Sequence, residues 1–225
     1  KEVCIQKKYL MNRIFGILIL LTPLFWTACG CPPDEKIGDL SLSDAAKNFL
    51  TYDGSETLVF QNASATELRF TAIRGKEVSE DQLCYRTTCT EAKFNSPSSC
   101  EYYLAESERF GFFSEDNNIV FDLLLYSDVY DYGTAEFYDA FQLGFSFGAS
   151  SIVGRHIIEA RFVGDFDIST LDITDLFQLE ASIVLNGETY NDILVYEENS
   201  LAVYIEPGKG IIGFKNAQDT WTLQH

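Results

Sequence analysis

Residues 181–224 read ASIVLNGETYNDILVYEENSLAVYIEPGKGIIGFKNAQDTWTLQ, and this stretch decides the fold. Asn186-Gly187 supplies two adjacent residues that tolerate positive φ, as a two-residue hairpin turn requires. Ala181–Leu185 enters that turn and Thr189–Glu197 returns from it. Glu198-Asn199-Ser200 makes the next reversal, and Leu201, Val203 and Ile205 share one face of the strand that follows. Pro207-Gly208 turns again, with proline fixing φ and glycine taking the left-handed position. Ile211–Lys215 returns, Asn216–Asp219 turns, and Thr220–Gln224 closes with Trp221 and Leu223 on one face. Reversals this tight force antiparallel neighbours.

Upstream, the same period continues. Phe141, Leu143, Phe145 and Phe147 point one way, and Gln142, Gly144 and Ser146 the other, the mark of a half-buried strand. Thr57–Gln61 and Glu67–Ile73 flank Asn62–Thr66 as a hairpin, and Tyr102–Glu106 and Ile119–Tyr126 add two more strands. The one helical signal is Ser43 as N-cap before Asp44–Leu50, burying Ala46, Phe49 and Leu50. The expected fold is mainly β: an antiparallel curved sheet or two-layer β structure with one short N-terminal helix.

The N-terminal residues carry an export signal. Asn12 and Arg13 follow Met11, then an apolar run from Ile14 to Trp26, then Thr27, Ala28 and Cys29. The run is shorter than the ~20 residues a spanning helix needs. Met11 reads as the start and Lys1–Leu10 as an upstream extension. Trp26-Thr27-Ala28-Cys29 looks like a bacterial lipobox, with Trp26 where leucine is preferred. Cys29 is the expected lipidation site and Cys31 the fallback. The organisation expected is therefore 1–28 extension and signal peptide, 29–39 a lipidated tether stiffened by Pro32-Pro33, and 40–225 one β-rich domain.

Removing the first 28 residues leaves 12 basic and 33 acidic side chains, a net charge of −21. Such a chain repels phosphate backbones, so nucleic acid is excluded as a partner, and attachment to a membrane falls to the acyl chains. Export implies an oxidising compartment and at least one bridge among Cys31, Cys84, Cys89 and Cys100. The preferred pair is Cys89 with Cys100. Zinc is disfavoured, because no C-x-x-C occurs.

Three features resemble small β-rich lipoproteins of the Bacteroidota. They are Cys29-Gly-Cys-Pro-Pro-Asp-Glu, the entry Leu40-Ser-Leu-Ser-Asp, and the tail Tyr190-Asn-Asp-Ile-Leu-Val-Tyr, Gly208-Lys-Gly-Ile-Ile-Gly-Phe and Trp221-Thr-Leu. The resemblance implies an outer-membrane lipoprotein on the periplasmic face or the cell surface. In that group early acids such as Asp34 and Glu35 accompany surface display. It implies no reaction.

Motifs that carry chemistry are few. Gly208, Gly210 and Gly213 match a dinucleotide fingerprint by letter, but a strand follows where a helix is needed, so they read as hairpin glycines. Asp165, Asp167, Asp172 and Asp175 are the calcium candidates, although the EF-hand pattern fails at Thr170 and Leu176. His156 is the one internal histidine and lacks a nucleophile motif. Tyr130, Tyr132 and Tyr138, set among acids in Ser127–Ala140, are a candidate binding loop, otherwise rings packed over one end of the sheet. No catalytic residue and no cofactor is expected. The leading reading is a non-enzymatic accessory protein that binds an envelope partner or ligand. The alternatives are a carrier that cups an apolar molecule on the Phe141, Leu143, Phe145 and Phe147 face, and a hydrolase with an unrecognised carboxylate site.

Overall fold

The computed structural model describes residues 31–90, 98–114, 118–131, 136–161 and 175–224. Thirteen strands and one helical turn follow in order: β1 (Glu35–Leu40), α1 (Asp44–Lys47), β2 (Thr57–Asn62), β3 (Glu67–Ala72), β4 (Glu77–Cys89), β5 (Ser99–Ser114), β6 (Ile119–Asp131), β7 (Glu136–Phe147), β8 (Ser150–Arg161), β9 (Gln178–Leu185), β10 (Glu188–Glu198), β11 (Leu201–Glu206), β12 (Gly210–Lys215) and β13 (Thr220–Leu223). They form one antiparallel sheet ordered β8-β7-β6-β5-β3-β2-β13-β12-β11-β10-β9, with β1 and β4 also paired to β5.

The chain forms two compact units. The smaller draws its described residues from Lys1–Glu35 and Thr87–Glu101, and the larger from Lys36–Arg86 and Tyr102–His225. The described residues among 87–101 thus group with residues 31–35 rather than with the rest of 40–225.

In the smaller unit Cys31 is bonded to Cys89, with Cα atoms 5.5 Å apart. The Asp34 carboxylate accepts from the Cys100 amide at 2.9 Å, and Thr88 Oγ1 donates to Ser99 O at 3.2 Å. These bonds bring Cys31 beside Cys89, so the expected Cys89–Cys100 bridge is corrected. Cys84 has no disulfide partner among the described residues. The expected tether is also corrected over its second half, because Glu35–Leu40 is strand β1.

The meander is built as its turns dictate. Asn186 and Gly187 both hold positive φ, 48° and 91°, and Leu185 pairs with Glu188 across them. Asn199 and Ser200 repeat the arrangement at the next turn. Gly210 needs its glycine twice over: its φ is +100°, and a Cβ there would lie 2.3 Å from Tyr52 Oη. That phenol accepts from the Ile211 amide at 2.7 Å, and burial pushes its pKa up.

The larger unit's sheet curls on itself, and aromatic rings fill the curl. Phe145 of β7 and Phe214 of β12 have five strands between them. In a flat sheet they would stand about 29 Å apart; their ring centroids are 5.5 Å apart. Phe121 stacks on Phe145 at 4.8 Å and meets Phe70 at 5.2 Å and Phe214 at 5.6 Å. Phe60 closes the group at 5.3 Å from Phe70 and 5.2 Å from Phe214. All five are fully buried.

Where the curl's two ends approach, Leu176 N donates to Arg155 O at 3.0 Å, and Gly154 leaves space for the rings of Tyr196 and Phe177. Ser43 caps α1 as expected, its Oγ accepting from Ala46 N. The helix stops at Lys47, yet Phe49 and Leu50 are buried beyond it. The β9–β10 hairpin folds back over the convex side. Asn186 Nδ2 lies 3.2 Å from Gln61 O and 3.2 Å from Thr220 O, and Leu185, Ile193 and Ile212 form a second small core.

Replacing Phe121 by Ala is expected to lower unfolding stability by about 4 kcal/mol, measured by urea titration. Gly210→Ala is expected to cost about 3 kcal/mol in the same assay, since it combines backbone strain with the collision against Tyr52.

Candidate functional site

On the outer face of the larger unit, two clefts of about 400 and 370 Å³ adjoin and share Glu77 and Arg109. Their floor follows from the strand pattern. With phenylalanines inward at Phe110, Phe112, Phe121, Phe141 and Phe145, the outward positions between them decide the surface. Gly111, Asp122 and Gly144 stand abreast on β5, β6 and β7, so a carboxylate rises between two positions without side chains. Ile73 leans over Gly111. Arg109 binds Asp122 through both ends, Nε to Oδ1 at 2.7 Å and Nη2 to Oδ2 at 2.5 Å, and this hydrogen bonding raises the guanidinium pKa. The pair is exposed, so it orients the arginine more than it stabilises the fold. Ser79 and Ser107 hydrogen-bond at 2.9 Å along the second cleft, whose wall includes Tyr126. Burial raises the Tyr126 pKa, opposed by its bond to Arg155. The surface offers two planar cations, Arg74 and Arg109, several acids and an apolar margin, which suits recognition of a polar partner.

No known protein family, curated protein or solved structure matches this chain.

The residues expected to form sites fall as follows. Phe141, Leu143 and Phe145 are completely buried in the protein's own core, and Phe147 packs half-buried against it. Among the described residues, that face leaves no room for a cupped apolar ligand. Tyr138 is not in a loop, as Ser127–Ala140 was expected to be, but in β7. It is buried and donates to Asp128 Oδ2 at 3.0 Å. Tyr130 lies in β6, and Tyr132 falls outside the described residues. Asp165, Asp167 and Asp172 also fall outside them. Asp175 is engaged by protein instead: its Oδ2 lies 2.8 Å from His156 Nδ1, and its Oδ1 accepts from Phe177 N at 3.0 Å. Burial works to raise the Asp175 pKa, but the histidine and the two backbone amides it accepts from hold it below the usual carboxylate range. The His156 ring stacks near Phe49 at 5.7 Å. Among the described residues no three or more His, Cys, Asp or Glu side chains converge as metal ligands.

A buried ionic node lies elsewhere. Asp139 is 0 % exposed, accepts from Ser43 N at 2.8 Å and Ser127 Oγ at 2.6 Å, and pairs with Arg161. Arg161 also donates to Ser41 O at 2.6 Å. A bulge makes the pairing geometrical. Asp139 is opposite Glu159 and Ala140 opposite Ile157, so one extra residue, Ile158, shifts the parity of β8 and turns Arg161 inward. The signal was visible: Asp139 falls on the same parity as Phe141, Leu143, Phe145 and Phe147.

Asp139→Ala is expected to cost about 4 kcal/mol in urea unfolding, because Arg161 would be left uncompensated. For Asp175, the depressed folded-state pKa means its stabilisation is full above the unfolded value of about 3.9 and is lost as pH falls through the folded one. Asp175→Asn should therefore be less stable than the parent at neutral pH, with the difference shrinking on acidification in pH-dependent thermal melts.

Proposed function

We propose that this protein is a lipid-anchored, non-enzymatic accessory component of a bacterial envelope, of the small Bacteroidota lipoprotein type. It is acylated at Cys29, sits at the outer membrane, and binds a partner on its outer surface. The observation that carries the binding reading is the filled curl. Since the described interior is occupied by the protein's own rings, recognition falls to the outside, where the Arg109 clefts lie.

The Cys31–Cys89 bridge supports the choice of anchor. A sulfur held in a disulfide cannot carry a thioether, so acylation falls to Cys29 rather than Cys31. The bridge also suits an exported protein.

Radiolabelled palmitate fed to the native host is expected to enter the parent and the Cys31→Ser variant but not Cys29→Ser. Label retained by Cys29→Ser overturns the anchor. Crosslinking in the intact envelope is expected to recover a reproducible partner that Arg109→Glu fails to capture. Equal capture by the variant would remove the clefts as the contact surface.

A further inference from the structure

Among the described residues of the larger unit, the outer edge of β9 is left unpaired. Among the described residues β9 pairs only with β10, and it ends the strand order. The two-residue turn makes Leu185 and Glu188 a hydrogen-bonded pair, so by alternation the amides of Glu180, Ser182 and Val184 point away from β10. Nearly all of β9 is exposed, with Leu179 at 66 % and Val184 at 65 %. Edge strands are ordinarily guarded by lysine, proline or a bulge. Gln178–Leu185 contains no lysine or proline and one charge, Glu180; it keeps a single offset against β10, with only the Ala181–Asp192 pair missing, where Asp192 holds a φ of 56°.

The charge around this edge has one sign. From residue 162 to residue 208 the chain has no lysine or arginine. The hairpin itself displays Glu180, Glu188, Asp192, Glu197 and Glu198. Two copies meeting edge to edge would bring these acids together, which disfavours self-pairing. A segment with alternating basic side chains would gain both the free main-chain bonds and the charge.

We infer that β9 accepts an added strand from a lysine- or arginine-bearing extended segment of a partner protein, by antiparallel or parallel β-augmentation. Backbone bonds at Glu180, Ser182 and Val184 supply the grip, Leu179 and Val184 supply apolar contact, and the hairpin acids select cationic side chains. The β9 edge is a second surface, distinct from the Arg109 clefts, and its use rests on the reading that the protein binds a partner. Its test uses purified protein, so failure here is separate from failure of the envelope crosslinking.

The probe is a nine-residue peptide alternating lysine and valine, compared with a peptide in which each valine is proline. The second has the same charge but keeps an N–H only at its lysines, and its fixed φ near −65° disfavours the extended strand. Fluorescence titration is expected to show at least tenfold tighter binding of the valine peptide. Hydrogen exchange is expected to slow at Glu180, Ser182 and Val184 when it is added. Ser182→Pro and, as a milder variant, Glu180→Lys are each expected to weaken binding at least tenfold with the thermal midpoint unchanged. Equal binding of both peptides reduces the effect to charge and overturns the inference. So does an absence of new protection, or protection of those amides without peptide in a dimer.

Discussion

The contact between phenylalanines of β7 and β12, strands separated by five others in the sheet, governs this molecule. Phe145 and Phe214 touch only because the sheet curls, and the two rings belong to a group of five at the centre of the core that fills the curl. Once the inward positions of β2, β3, β6, β7 and β12 are committed to those rings, much else is settled. The outward positions become the working surface. The two ends of the strand order are brought near one another at Gly154 and Tyr196. The Tyr196 phenol there lies 3.0 Å from Val153 O and 2.6 Å from Glu198 Oε2, and burial with that carboxylate pushes its pKa up to about 12. The meeting point is thus polar on one side and aromatic on the other.

How much of this was legible in the sequence depends on burial. Strands with one buried face announced themselves through period two, as β7 did, and turns requiring positive φ announced themselves through Asn186-Gly187 and Pro207-Gly208. The three glycines 208, 210 and 213 serve hairpin and packing, as the strand context required. β4 was not legible because it is exposed along most of its length, so no alternation marks it. β1 was hidden for the same reason and read as tether. The disulfide could not be chosen from spacing, because the bond to Cys31 depends on chain brought in from 58 residues away.

The candidate site was less legible than the fold. Asp139 stood in the apolar register and could have been flagged, but its partner Arg161 is aimed by a bulge that no local pattern reveals. The Arg109 clefts arise from Gly111 and Gly144 flanking Asp122 across three strands, a relation that exists only once register is known. In both cases the informative residue is the one that breaks a phenylalanine pattern, inward for Asp139 and outward for the glycines.

The bridge at Cys31 sets a distance as well as a bond. If Cys29 is acylated as proposed, two chain steps separate the bilayer from the point where the chain is fastened to Cys89, a reach of about 7 Å at full extension. The smaller unit would ride at the level of the lipid headgroups. Opening that bridge would return Pro32–Asp34 to the leash and let out about 20 Å between the bilayer and the start of β1. The oxidation state of one sulfur pair would then decide how far from the lipid surface the protein can stand.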